Sequence, residues 1–525
     1  MSSLMLTRIL PNASQWVDVN ASFIAVTSIV FLLALYAKTA FRHLRTYWYL
    51  RKVPRPLGQW SFKTLYEMWK TTSKMDGDLT DSAKSFIYFK RMFQRAMNDD
   101  IAVIYFGATP MLLGWSPETV EGILSKVDNQ NKPFLYDFMK PWNGDGILTL
   151  ETALWRVRRK AFTPAFHFKI LDDYNPVMNR RSTKLVQKLE GYGGEYVDLL
   201  PVIRTAGFGI FFETAMGLNV DEEEEVKHYD LLRGMEVIGT RVVQRMLNFF
   251  LWSDITYGLC KESKAFYHYA NKIRSYNTGV MRKKVAEYEE SEGQKNKTNR
   301  FIDVMLRMFK EDGSLQEVDL VDEIVAAFVG GFETTSLSMS YALHLLGSHP
   351  EVQRKVHEEL DVVFGDDKDR PVTKEDAKEL KYLECVIKET LRLFPPLPIL
   401  GRDFRTDTTI GGHTIPKGTV GLVLLYFLHR NPKVYENPND FIPERFLETS
   451  AKHHPFAFIP FAGGLRNCLG QNYAKTEEKI VLSHILRNFR VISKVPTEDI
   501  KIDMELMLRP MDKLLVKFIP RDKAT

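Results

Sequence analysis

The chain is poor in cysteine. It has three in 525 residues, Cys260, Cys385 and Cys468. That is too few for a disulfide framework, so the bulk of the chain is expected in a reducing compartment. A cysteine that matters here works alone, as nucleophile or metal ligand. The chain also lacks a dominant charge. Lys and Arg number 71 against 66 Asp and Glu, a net of +5, too mild an excess to point to nucleic acid. There is no internal repeat and no low-complexity segment. With 45% hydrophobic and 26% charged residues, the composition excludes disordered and fibrous classes. Only one apolar run is long enough for a bilayer, which excludes a multi-span transporter.

That run is Val19–Ala37, 19 residues without a charge. As a helix it covers about 28 Å, the thickness of a hydrocarbon core. Arg8 and Asp18 precede it; Lys38, Arg42, Arg45, Arg51, Lys52 and Arg55 follow. The positive-inside rule puts the following side in the cytosol, and a cleaved signal peptide would carry its positive end first. Tyr36, Tyr47, Trp48 and Tyr49 suit an interfacial belt. Asn12-Ala-Ser14 and Asn20-Ala-Ser22 are formal sequons too close to the membrane to carry weight. Val53-Pro-Arg-Pro-Leu-Gly58 reads as a stiff connector. The expected division is 1–37 as lumenal tail and anchor, 38–60 as basic, proline-containing hinge, and 61–525 as catalytic domain.

Within the body, Ile101–Phe106 and Met111–Trp115 read as a hairpin, and Ser116-Pro117 as a helix start. A mainly helical pattern then runs to about residue 394, and short strands such as Thr419–Leu425 follow. The acidic run Asp221–Glu225 and the polar stretch 282–300 read as surface loop and linker. Ser314-Leu-Gln-Glu317 reads as a capping box, opening a helix of about thirty residues that Gly347 and Pro350 stop. Mid-helix lies Gly330-Gly-Phe-Glu-Thr-Thr335, where each Gly costs about 1 kcal/mol relative to Ala. From the residues alone this is either close helix packing or a loosened turn that a ligand approaches. Glu389 and Arg392, three apart, share a helix face.

Phe461-Ala-Gly-Gly-Leu-Arg-Asn-Cys468-Leu-Gly470 stands just before a helix-like run, Gln471–Leu486. Backbone N–H groups and the positive helix end favour a thiolate, and Arg466 adds charge two residues away. The flanking glycines let the backbone wrap closely around the sulfur. Cys260 and Cys385 lack such surroundings and read as packing residues. His453 and His454 have no defined relation to Cys468, so Cys–His catalysis is disfavoured.

Phe461, Gly464, Arg466, Cys468 and Gly470 fill the five fixed positions of F-x-x-G-x-R-x-C-x-G, and here the chain resembles the cytochrome P450 monooxygenases. Four more motifs occur in the family's order: Trp155-Arg-Val-Arg-Arg159, Gly330-Gly-Phe-Glu-Thr334, Glu389-Thr-Leu-Arg392 and Pro443-Glu-Arg445-Phe446. The segments 162–168, 213–217, 383–394 and 455–470 are similar to the fatty-acid ω-hydroxylase branch, family 4. The resemblance covers essentially the whole chain and implies a mainly α fold with a small β-rich subdomain behind an N-terminal transmembrane helix. It implies haem b with Cys468 as the axial ligand of its iron. Trp155, Arg159, Arg402 and Arg466 are implied as propionate donors; Phe461, Gly464, Gly470 and Gly331 as further cofactor contacts. Glu333 and Thr334 are implied as the acid–alcohol pair that handles protons, and Glu389, Arg392 and Arg445 as a structural triad. One departure stands out. The branch often carries a Glu that esterifies haem, and Gly330 occupies that position, so non-covalent haem is expected. Phe332 replaces the branch's histidine, which removes the basis for assuming strict ω-selectivity.

The resemblance further implies O2 chemistry on a fatty acid or related lipophile, with electrons from NADPH through the FAD and FMN of NADPH-cytochrome P450 reductase and cytochrome b5 as a second donor. It implies a single-pass protein of the endoplasmic reticulum membrane, facing the cytosol, with no nucleic-acid partner. Exposed Arg156 and Lys160 serve either an acidic reductase surface or plain solubility. Phe138, Phe328 and Phe332 are either pocket or core. The alternatives are a haem-thiolate isomerase or dehydratase of lipid peroxides, which usually lacks an intact acid–alcohol pair, and a non-enzymatic haem- or lipid-binding protein.

Overall fold

The computed structural model describes residues 13–55, 69–75, 77, 79–106, 109–220, 229–290, 300–447, 449 and 453–521. The first twelve residues, the end of the expected hinge, the acidic run at 221–225 and residues 291–299 of the polar stretch lie outside them; residues 282–290, expected as linker, are instead the end of the helix Lys261–Glu290.

The described chain is mainly helical, with four small sheets. The hairpin forms as its two apolar runs predict: β1 (Ile101–Phe106) pairs antiparallel with β2 (Thr109–Gly114). β2 runs parallel to β7 (Val420–Leu424), and β4 (Ile399–Asp403) closes the sheet antiparallel to β7. A second sheet orders β3 (Tyr196–Asp198), β11 (Leu515–Pro520) and β8 (Phe489–Ser493). β5 (Thr408–Ile410) pairs with β6 (His413–Ile415), and β9 (Ile502–Met504) with β10 (Leu508–Pro510). Ser116 caps the helix Pro117–Leu124, its Oγ accepting from Thr119 N.

The cap of the central helix lies two residues beyond the expected Ser314–Glu317 box: Gln316 and Asp319 form it, and the helix is Glu317–Gly331. Ser314 is not free to cap, because its N–H and that of Leu315 both return to Met308 O at 3.0 and 3.3 Å, with Gly313 at φ 61. They close the preceding helix, Phe301–Lys310. The expected thirty-residue helix is two helices. Phe332, at φ −126 and ψ −29, separates Glu317–Gly331 from Glu333–Ser348. Gly347 stays inside the second, where a Cβ would stand 2.6 Å from Ser493 N, so it serves close packing against β8.

The N-terminal helix runs unbroken from Ala13 to Leu50, 38 residues, about 57 Å. Residues 38–50 of the expected hinge are therefore helical. Most side chains of Val19–Ala37 lie outside the described ones, and among the described residues no helix is long and apolar enough to cross a membrane. The far end of this helix docks on the body. Leu50 and Val53 are buried in a cluster with Val103, Ile410 and Ile415. Arg45 pairs with Asp407, and Val103 N donates to Pro54 O at 2.9 Å.

Candidate active site

The Cys468 loop is closed by Cys468 N donating to Phe461 O at 2.8 Å. Two residues bend it through the left-handed region, Ala462 at φ 61 and Gly464 at φ 72. A Cβ on Gly464 would lie 2.3 Å from Leu124 O, so only glycine fits this approach. Gly470 is the N-cap of the helix Gln471–Asn488. Burial pushes the Cys468 thiol up, while the Gly470 N–H and the Arg159 charge pull it back. The residue nonetheless keeps solvent-accessible surface, so the sulfur is not walled in by the loop that carries it. The charge beside the sulfur is Arg159 and not Arg466. Arg159 donates from Nη1 to Asn467 O and from Nη2 to Asn467 Oδ1, both at 2.7 Å. It braces the loop from the helix Thr152–Phe162, with those two nitrogens bonded to Asn467. His453 lies against Tyr435 and His454 reaches Glu121.

Arg466 turns the other way. Nη2 donates to Leu150 O at 2.6 Å, and its guanidinium lies 4.6 Å from the centroid of the Trp155 ring. Arg402, on β4, is fully buried and gives only Nη1, to Gly401 O at 2.9 Å. Nε and Nη2 of Arg402, and Nε and Nη1 of Arg466, are buried without partners. Burial holds the Arg402 guanidinium below its ordinary value. Burial, then repulsion from Arg402, takes Arg466 down to about 10. Lys132 is the third cation: burial, then Arg402 and Arg466, depress its ammonium strongly. Gly401 makes this convergence possible, because a Cβ there would stand 2.8 Å from Pro133. Its N–H donates to Tyr136 Oη at 3.3 Å. Buried cations without carboxylates need an anion. Arg402 and Arg466 are two such cations, with half-buried Lys132 beside them, and their unpartnered nitrogens fit the two propionates of the haem that the sequence resemblance implies.

Across the helix break the two glycines divide the two readings of the motif. A Cβ on Gly331 would collide with the Phe211 ring at 2.1 Å, whereas one on Gly330 meets nothing within 4 Å. Gly331, expected at the cofactor, is committed to helix packing, and Gly330 faces the open side. Thr334 Oγ1 donates to Gly330 O at 3.1 Å, and Thr335 Oγ1 to Phe332 O at 3.1 Å. Glu333 is fully buried, its Oε2 accepting Arg204 Nε at 2.5 Å and its Oε1 accepting Arg509. Burial pushes its carboxyl up, but the two guanidiniums outweigh that and hold it below 4.5. Phe328 and Phe332 pack edge-on against Phe208, and Phe138 lies under Arg245. All three are buried core.

Glu389, Arg392 and Arg445 come together. Arg392 makes a bidentate pair with Glu389, 2.7 Å at each contact, with both side chains fully buried. Arg445 Nε stands 3.4 Å from Glu389 Oε1. Arg392 Nη1 also donates to His429 O and Pro438 O, tying this helix to the segment that leads to the cysteine loop. Of the remaining cysteines, Cys385 is buried and its thiol is pushed up to about 11 by burial.

Several site residues were not anticipated. Lys132, Tyr136, Arg204 and Arg509 reach the site only through tertiary contact. Arg158 alone had a local signal: in Trp155-Arg-Val-Arg158 it is three residues from the buried Trp155. It pairs with Glu323 at 3.1 Å and Asp319 at 3.3 Å on the central helix.

A family model described as Cytochrome P450 matches residues 79–518. Cytochrome P450 4c3 of Drosophila melanogaster is 36% identical over 515 residues, covering 94% of this chain and 94% of that protein. Cytochrome P450 4V2 of Homo sapiens is 37% identical over 432 residues, covering 80% of this chain and 82% of that one. Among solved structures, the heme domain of cytochrome P450DA aligns with a TM-score of 0.72 at 20% identity, over 85% of this chain and 94% of that chain, a likeness of fold.

Proposed function

The chain belongs to the cytochrome P450 family and is a haem-thiolate monooxygenase, and from this we propose that it hydroxylates a fatty acid or related lipid with electrons from NADPH. Haem bound through Cys468 would supply the oxygen-activating chemistry of the overall reaction, in which substrate C–H, O2, two electrons and two protons give the alcohol and water.

The protein's part follows from the residues described. Arg402 and Arg466 would hold the propionates, with Lys132 and Trp155 beside them. Their four unpartnered buried nitrogens are the observation that carries this reading. Arg159 and the Gly470 N–H stabilise negative charge on the Cys468 sulfur. Thr334 and Glu333 manage proton delivery from the helix break. Gly330 has no carboxylate to form an ester, so the haem is non-covalent and leaves the polypeptide on acid–solvent extraction; haem that stays bound refutes this. The lipid substrate class rests on likeness to family 4 members over most of the chain. NADPH-cytochrome P450 reductase is the electron donor, cytochrome b5 a second one, and exposed Arg156 and Lys160 belong to the docking surface. The N-terminal helix anchors the enzyme in the endoplasmic reticulum membrane with the catalytic domain in the cytosol.

Two experiments test the reading. Reconstituted enzyme given lipid extract, NADPH and 18O2 should yield a hydroxylated lipid carrying one heavy oxygen; NADPH consumption without such a product refutes the substrate class. Cys468→His should lose the thiolate-type absorbance of the reduced carbon monoxide complex, and a retained band would overturn the ligand assignment.

A further inference from the structure

Glu333 is gripped from two sides, and the grips differ. Arg204 is fixed by further bonds, Nη1 to Glu236 Oε1 and Nη2 to Leu232 O, both at 2.6 Å. Arg509 is shared. Beyond Glu333, its ion-pair neighbours stand at 3.5 Å, Glu236 from Nη1 and Glu505 from Nε, and Nη1 has no hydrogen bond. A carboxylate between two guanidiniums cannot turn toward Thr334 unless one lets go, and Arg509 is the one with an alternative.

The alternative is Glu505, in the turn between β9 and β10. Its Oε1 accepts Thr240 Oγ1 at 2.6 Å, and its Oε2 is buried without a partner. The side chain is 12% exposed, against 0% for Glu333, so it exchanges protons with solvent more readily. The charged groups facing it are Arg509, Asp503 and Glu236. Burial raises its carboxyl to about 7, with Arg509 and Thr240 opposing and Asp503 and Glu236 assisting. Beside it is a cavity of about 20 Å³ whose walls include Trp142, Val329, Glu505 and Arg509. That is room for one water. Trp142 Nε1, Glu505 Oε2 and Arg509 Nη1 are buried polar atoms of those walls without partners.

We propose that Glu505 is a positioning residue that sets how firmly Arg509 holds Glu333, with one water in the adjoining cavity joining Glu505, Arg509 and Trp142. When Glu505 is protonated, two guanidiniums face the two carboxylates Glu333 and Glu236. When it ionises, its proton passes to solvent and a third carboxylate competes for Arg509, freeing Glu333 to turn toward Thr334. Arginine keeps its protons throughout, so the control is electrostatic. The inference rests on reading Glu333 and Thr334 as the proton-delivering pair.

The test uses the reconstituted holoenzyme and measures the share of NADPH electrons recovered in product rather than peroxide, from pH 6 to 8. The wild-type share should rise with a midpoint near 7, following Glu505. Glu505→Gln should stay at the acid-side value and be severalfold lower at pH 8. A second readout needs no turnover: pH-difference infrared spectra should lose one titrating protonated-carboxyl band in Glu505→Gln, while those of Glu323 and Glu478, also raised into this range by burial, remain. Glu505→Asp keeps a titrating group and should restore part of the pH response. A Glu505→Gln variant with the wild-type pH profile, or with the wild-type infrared titration, overturns the proposal. Thr334→Ala separates the two levels. If it leaves the product share unchanged, the acid–alcohol reading fails; if it lowers the share while Glu505→Gln follows wild type, only the Glu505 proposal fails.

Discussion

Arg402 and Arg466 form one buried arginine pair, and Arg204 and Arg509 another. All four are at most 7% exposed, yet only the second pair meets carboxylates. Arg204 and Arg509 share Glu333, with Glu236 and Glu505 beyond it. Arg402 and Arg466 meet backbone carbonyls and an aromatic face, and leave four nitrogens unused. The same residue type thus serves two purposes. A pair matched by carboxylates holds an internal acid; a pair without them is a receptor for an anion that the fold does not supply. The energetic signs are opposite, since breaking a buried ion pair leaves an uncompensated charge, whereas removing an unmatched buried charge relieves one.

The largest expected effect is on the carboxylate-matched pair. Arg509→Leu leaves Glu333 with one of its two cations and should cost about 3–5 kcal/mol, read from the urea unfolding midpoint. Loss below about 1 kcal/mol would erase the distinction between the pairs. Arg402→Leu should have the reverse sign in apoprotein, neutral or stabilising by about 1–3 kcal/mol, because two unpartnered buried donors disappear. In holoenzyme it should speed haem transfer to a scavenging apoprotein by about tenfold, or ~1.4 kcal/mol. Unchanged haem release would break the receptor reading. The smallest effect is the pH response. Glu333 sits below 4.5 in the folded state, so its contribution is complete above the unfolded value and fades as pH falls through the folded one. Acid unfolding of Arg509→Leu should therefore show a shallower loss below pH 4.5 than wild type; equal slopes would assign the acid sensitivity to other carboxylates.

Local signals were read well where the chemistry is local. Ser116 before Pro117, the two adjacent apolar runs of β1 and β2 and the three-residue spacing of Glu389 and Arg392 all describe neighbours close in the chain. The cysteine loop is legible for the same reason, since its turn geometry and its ligand lie within ten residues. What escaped is set by long-range packing. Arg204 and Arg509 stand 129 and 176 residues from Glu333, and no periodicity encodes such a meeting. Lys132 is brought to Arg402 by a glycine on a strand that gives no sign of what approaches it. The misplaced capping box has a cause of the same kind: Ser314 has the right side chain, but its backbone is already spent on closing the helix before it. Gly330 and Gly331 look alike in sequence, and only the position of Phe211 tells them apart.

The docked end of the N-terminal helix has a mechanical consequence. With Leu50 and Val53 seated in the body and Arg45 clasped by Asp407, the helix is a bracket and not a leash. Whatever holds its leading half, a bilayer included, transmits tilt and azimuth to the catalytic domain. One alanine inserted between Ala37 and Arg45 would rotate the body by about 100° about the helix axis, turning a different surface toward whatever holds the leading half without altering one residue of the active site.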